Sequence, residues 1–236
     1  MISGNAKMPR STRSTQQLTL PGLTIWEGSS QTIAGVDEVG RGALFGPVVA
    51  AAVIVPDAAV QPLIAAGVTD SKQLSAGQRT QLAVQIRQLA LDCRIGYASV
   101  REIDRLNILQ ASLLAMKRAI LRLKVQPDLC LVDGNQRITG LAIPQQTLVK
   151  GDQRSLAIAA ASILAKVWRD DLITRLAVKY PQYNLHCNKG YGTPSHRLAL
   201  SQYGASCYHR RSFSPCRVSE ASSCLSDPAD PLVEIN

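Results

Sequence analysis

The chain has 236 residues, 46% hydrophobic and 18% charged, with 26 Lys and Arg against 17 Asp and Glu for a formal charge of +9. This is the composition of a folded protein with a sizeable core, and it excludes an intrinsically disordered chain. The longest apolar run, residues 48–55, is far short of the ~20 residues that span a bilayer, and residues 1–13 lack the apolar segment of a secretory leader, so no membrane association is expected.

Residues 1–30, rich in Ser, Thr, Gln and Gly, read as a flexible N-terminal extension. Residues 32–36 are β-prone and run into Asp37-Glu38-Val39-Gly40-Arg41-Gly42, a strand meeting a glycine turn. The unbroken apolar run 48–55 has the character of a strand buried on both faces. Ser75 with Gln78 forms a capping box for a helix to about residue 91. A third strand is expected over 94–99 and a helix over 107–124, ending before Pro127. The short apolar strand 129–132 delivers Asp133, and a further strand over 145–149 delivers Lys150-Gly151-Asp152. A long helix over 155–179 starts with small residues, a surface suited to close packing on a sheet. Thr193-Pro194 begins a short helix to about residue 202.

The pattern is an α/β domain with a mixed sheet flanked by helices, followed by a small, basic, helical C-terminal extension. Residues 31–215 are read as this domain and 216–236 as a disordered acidic tail. Residues 150–217 hold 11 basic and 3 acidic side chains with several tyrosines among them, as expected of a surface that tracks a polyanion. A solvated basic face explains the charge equally well. The six cysteines form no CxxC pair, so reduced thiols and a cytoplasmic location are expected.

Acids recur at strand ends. Asp37 and Glu38 close the first strand, Asp133 a later one, and Asp152 follows a third. Strand ends of an open α/β sheet converge on one edge. Clustered carboxylates repel and are costly to bury without a cation between them, a need that Mg²⁺ or Mn²⁺ meets with hard oxygen ligands. Two such ions about 4 Å apart support phosphodiester hydrolysis. Successive strand residues face opposite sides, so Asp37 and Glu38 can share a site only where the strand ends or bulges, which Gly40 and Gly42 allow. The same four residues also read as ordinary loop acids.

Taken in order, Asp37 to Gly42 with Gly46-Pro47, Asp70-Ser71-Lys72, Val132-Asp133-Gly134-Asn135, Lys150-Gly151-Asp152, residues 159–167, residues 188–193 and residues 209–213 resemble ribonuclease HII, the bacterial type 2 ribonuclease H. The resemblance spans residues 33–213. It implies a ribonuclease-H-like fold and an endonuclease that cuts the RNA strand of RNA/DNA hybrids and nicks duplex DNA 5′ to an embedded ribonucleotide, leaving 3′-hydroxyl and 5′-phosphate ends.

By the same resemblance, Asp37, Glu38 and Asp133 are the metal-binding carboxylates, for two Mn²⁺ or Mg²⁺ ions, and Asp152 is the fourth catalytic acid. Gly40, Arg41 and Gly42 are the ribonucleotide reader, where glycines let the backbone approach the 2′-hydroxyl. Tyr191 is the ring that stacks on the next deoxyribose. Ser71 and Lys72, with Lys150, Lys166, Arg210 and Arg211, are candidate phosphate contacts. Asp170 and Asp171 read as mid-helix ion-pair partners, and His186, His196 and His209 as capping or surface residues. Gln73 and the segment 203–208 depart from the family pattern. Residues 16–20 partly resemble peptides that bind the bacterial sliding clamp. Two other readings are open: a nucleic-acid-binding module with structural acids, and an integrase- or resolvase-like nuclease of the same superfold.

Overall fold

β-Branched and small apolar residues make the centre of the molecule. In the computed structural model, which describes residues 31–217 and the backbone of β1 (Thr19–Leu20) and β2 (Leu23–Thr24), five strands form one mixed sheet. They are β3 (Ile33–Val39), β4 (Val48–Ile54), β5 (Asp92–Ala98), β6 (Leu129–Asp133) and β7 (Gln145–Leu148), in the order β5-β4-β3-β6-β7. β4 runs antiparallel to β3 and β5, whereas β6 is parallel to β3 and β7 to β6.

Every residue of β4 is buried, because helices cover both faces. On one side α1 (Asp57–Ala65), α2 (Ala76–Leu89) and α5 (Leu156–Lys179) close over Val49, Ala51 and Val53. On the other, α3 (Val100–Leu106) and α4 (Ile108–Leu121) close over Val48, Ala50, Ala52 and Ile54. The small-residue start of α5 lets its backbone lie directly on β3: a Cβ on Gly35 would stand 2.2 Å from the Ala157 carbonyl carbon. Beyond the sheet, α6 (Leu185–Asn188), α7 (Pro194–Tyr203) and a final turn over Ser214–Cys216 pack around Phe45, Leu172, Tyr183 and Cys216. No helix among the described residues is long and apolar enough to cross a membrane.

The elements follow the sequence pattern with instructive exceptions. α2 has the expected capping box, with both reciprocal hydrogen bonds formed between Ser75 and Gln78. The helix expected over 107–124 is present as α4, capped by Asn107, which accepts from Gln110 N–H; an unanticipated helix, α3, precedes it and ends at the same Asn107, at φ 75°. The helix α3 was signalled by a second capping box, Ser99 with Glu102. α1 was not anticipated; Pro56 precedes it and Pro62 lies inside its nine residues. Cys216, the first residue of the expected tail, is buried, with its thiol directed at the Leu44 carbonyl. Residues 218–236 of that tail and most of the N-terminal extension, including residues 16–18, lie outside the described residues.

Candidate active site

The parallel register of β3 on β6 carries the site. Val36 pairs with Val132, so Asp37 and Asp133 come next on neighbouring strands and project from the same face, the one covered by α5. The first strand does not end or bulge at Asp37, as a shared site for Asp37 and Glu38 was expected to require. β3 stays paired with β4 through Glu38↔Ala50 and Val39↔Val49. Instead β6 stops at Asp133. Glu38 thus lies one step past the end of its parallel neighbour, and its carboxylate meets Arg41 Nη1 at 3.0 Å.

Asp152 arrives from another direction. Lys150, in the left-handed conformation at φ 56°, turns the chain after β7 into a 3-10 turn over Gly151–Gln153. Gly151 N–H then donates to Asp133 Oδ1 at 2.7 Å, which ties this turn to the end of β6. Asp70 caps the 3-10 turn Ser71–Gln73, accepting from Lys72 N–H at 3.0 Å and from Gln153 Nε2 at 3.3 Å. Lys72 Nζ reaches Asp152 Oδ2 at 3.4 Å while its side chain stays 81% exposed.

The four candidate acids feel one another. Burial pushes the Asp37 carboxyl well above its ordinary range, and the charges of Glu38 and Asp133 push it further, eased by the Ser162 hydroxyl. Burial also raises Glu38; Arg41, at 3.0 Å, opposes that rise and Asp133 adds to it. Asp152 is raised by burial against the pull of Lys72, with Asp70 and Asp133 adding to the rise. Glu38 and Asp152 therefore each hold a cation, whereas Asp37 has no ion pair among the described residues and relies on a hydroxyl and on the Glu38 N–H, which donates to Oδ1 at 2.7 Å. That hydroxyl is oriented from behind: Ser162 and Ser71 Oγ atoms are 2.9 Å apart in a buried pair, so Ser71 donates to Ser162 when Ser162 donates to Asp37.

Among the described residues, no three His, Cys, Asp or Glu side chains stand close enough to hold an ion as they are oriented. The donor chemistry nevertheless fits a hard divalent cation. Asp37, Glu38 and Asp133 are oxygen donors, and burial followed by mutual repulsion raises the proton affinity of Asp37 and Glu38, the conflict such an ion relieves.

The segment Gly40-Arg41-Gly42 turns immediately after β3, with Arg41 and Gly42 exposed. An isolated antiparallel bridge, Ala43↔Tyr191, sets Tyr191 alongside it, and Leu44 N–H donates to the Gly190 carbonyl at 2.8 Å. Lys166 Nζ stands 5.5 Å from the Tyr191 ring centre and pairs with Asp170 at 2.9 Å. The expected helical ion pairs are thus present, for Asp171 pairs with Arg175 at 2.9 Å.

Three candidates lie elsewhere than expected. Arg210 is not a surface phosphate contact: it is fully buried and donates to the Gly46 and Arg41 carbonyls at 3.0 and 2.8 Å. His196 and His209 are not surface residues but a buried pair, with Nε2 atoms 3.0 Å apart. Ser206 N–H donates to His209 Nδ1, so His209 carries its proton on Nε2 and offers it to His196. His196 is then left with Nδ1–H, which donates to the Tyr191 carbonyl at 3.0 Å. Burial, followed by the His196 neighbour, pushes His209 down to about 3, so the neutral relay is the stable one. Asp70 and Ser162 sit in recognisable motifs without an assigned role; a lone hydroxyl among the alanines of α5 was the available signal for Ser162.

A family model described as Ribonuclease HII matches residues 34–216. The chain is 64% identical over 194 residues to Ribonuclease HII of Nostoc sp. (strain PCC 7120 / SAG 25.82 / UTEX 2576), covering 82% of this chain and 86% of that protein. Among solved structures it resembles the ribonuclease H2 from Pyrococcus horikoshii OT3, at TM-score 0.69 and 28% identity over 79% of this chain and 95% of that one. It also resembles the RNase HII of Archaeoglobus fulgidus solved as a PCNA:RNase HII complex, at TM-score 0.64 and 32% identity over 76% and 92%.

Proposed function

The chain belongs to the ribonuclease HII family, whose members are nucleases, and from that premise we propose that it cleaves at ribonucleotides in two settings. It hydrolyses the RNA strand of RNA/DNA hybrids and nicks duplex DNA 5′ to an embedded ribonucleotide, leaving 3′-hydroxyl and 5′-phosphate ends. The observation that supports this most is the register that sets Asp37 beside Asp133, with Glu38 one step past the end of β6 and Asp152 in their field.

Asp37, Glu38 and Asp133 would hold divalent ions, Mn²⁺ or Mg²⁺, with Asp152 on the side that activates water. Bound there, the ions supply a nucleophile at neutral pH and stabilise the leaving oxygen. The chain's own contributions are positional. The main chain of Gly40 to Gly42 reads the 2′-hydroxyl, and the Tyr191 ring packs on the following deoxyribose and rejects a second 2′-hydroxyl. Lys72, mostly exposed beside Asp152, neutralises a phosphate, and Ser71 orients Asp37 through Ser162.

The test is a duplex with one ribonucleotide beside an all-DNA duplex, each with Mn²⁺ and with Mg²⁺, with end mapping. Cutting of the first alone, 5′ to the ribonucleotide, is expected; equal cutting of both returns the chain to an integrase- or resolvase-like nuclease. Asp133→Asn keeps an oxygen for Gly151 N–H, so it should retain the fold and hybrid binding while losing cleavage. A pure binding module would have no cleavage to lose. Residues 16–20 would add a weak sliding-clamp contact, in keeping with the PCNA complex of the Archaeoglobus relative. Clamp capture that survives deletion of residues 1–25 would remove that contact.

A further inference from the structure

Among the described residues Arg169 and Arg210 are the largest fully buried side chains, and no carboxylate forms an ion pair with Arg169 there. A guanidinium in that position is costly to bury, and burial lowers its pKa. Its N–H groups are spent on main-chain carbonyls from two separate segments. Nε donates to Pro47 at 3.1 Å and Nη2 to Phe45 at 2.9 Å, both in the stretch that follows Gly42. Nη1 donates to Lys189 at 2.9 Å, two residues before Tyr191. The guanidinium also stands 5.4 Å from the Tyr191 ring centre. Gly40 rests on the same group: its φ is +90°, and a Cβ there would lie 2.2 Å from Arg169 Nε.

We propose that Arg169 is a positioning residue that locks the Gly40–Gly42 turn and the Tyr191 ring into one rigid unit, so that the 2′-hydroxyl and the neighbouring deoxyribose are read at a set spacing. The proposal rests on the reading of these two segments given above and adds the element that couples them. Planarity is the reason for arginine: a fork with fixed N–H directions reaches three carbonyls at once, whereas an ammonium is a point donor on a flexible stem. A ring displaced by about 1 Å can cost on the order of 10²-fold in rate without loss of binding. α5 spans the site for this purpose, with Ser162, Lys166 and Arg169 at positions that share one helical face.

The test uses Arg169→Lys and Arg169→Gln in the full chain. Arg169→Lys should lower kcat on the single-ribonucleotide duplex about tenfold or more with KM changed less than about threefold. Its preference for the RNA–DNA junction over an all-RNA hybrid should fall with kcat. In a Tyr191→Ala background the same change should add little further loss of preference, because the ring it positions is gone. Hydrogen exchange gives a readout independent of cleavage: amides of residues 40–46 and 189–192 should lose protection together while β4 and α4 keep theirs. Wild-type kcat and preference in a folded Arg169→Lys, or losses that simply add to those of Tyr191→Ala, would overturn the proposal. So would failure of both variants to fold, which makes Arg169 a core residue only. If the wild-type protein cuts no ribonucleotide-containing duplex, the functional reading fails instead, and the exchange result still decides whether Arg169 couples the two segments.

Discussion

Asp37 combines three features that rarely stay together in a structural carboxylate: it is buried, it adjoins two other acids, and it has no cation, only the Ser162 hydroxyl and the Glu38 N–H, to ease it. Its folded pKa lies above the unfolded value, so the native state binds more protons than the unfolded chain across that interval. Stability therefore falls as pH rises from about 3.8 through the folded pKa and stays reduced at neutral pH. Asp37→Asn should in consequence melt several degrees higher than the wild type at pH 7.5 in the absence of divalent ions, measured by calorimetry. The gap should close as pH is lowered towards 4. Mn²⁺ should raise the wild-type midpoint and leave that of Asp37→Asn nearly unchanged, because an ion that binds only the native state stabilises by mass action. A variant that melts lower at every pH would mean that the carboxylate is a structural anchor.

Between elements, the C-terminal helices are attached by buried polar contacts as well as by apolar area. His196 on α7 and His209 in the following segment form a neutral relay from Ser206 to the Tyr191 carbonyl, walled by Phe45 and Tyr183. His209 is held down to about 3, so below pH ~6.5 the unfolded chain takes up a proton that the native state refuses. Stability from this pair is fully present above that pH and is lost as pH falls towards 3. Chemical denaturation between pH 7 and 5 should show a loss of up to about 1.4 kcal/mol per pH unit for one such group. The slope opposes that of the carboxylates, and His209→Gln should remove it while lowering stability at pH 7. Equal slopes in the two proteins would show that the pair does not stay neutral. The junction of α3 and α4 belongs to the same scale: Asn107, at φ 75°, ends the first helix and its side chain caps the second.

For the molecule as a whole, the positive excess is concentrated in residues 150–217, yet part of it is unavailable to a ligand. Arg169 and Arg210 are buried, and Lys166 and Arg175 are paired with acids of their own helix. Lys72, Lys150 and Arg211 remain exposed, the first beside the carboxylates. With about four phosphates contacted, the logarithm of hybrid affinity should fall with the logarithm of salt at a slope of about −4. A slope near zero, measured by fluorescence anisotropy across 50 to 300 mM salt, would contradict electrostatic tracking of the backbone.

The sequence by itself determined the strands, the long helix with its alanine start, the capping box of α2 and the candidate acids, because periodicity, caps and strand-end positions are local properties of the chain. Only the tertiary structure decided how those acids meet. The stop of β6 at Asp133, level with Asp37, depends on pairing between segments almost a hundred residues apart. Likewise Arg169, Arg210, His196 and His209 look like surface residues in a basic stretch. They are interior because the backbone carbonyls and ring nitrogens that satisfy them come from distant loops, and no local pattern encodes which loops those are.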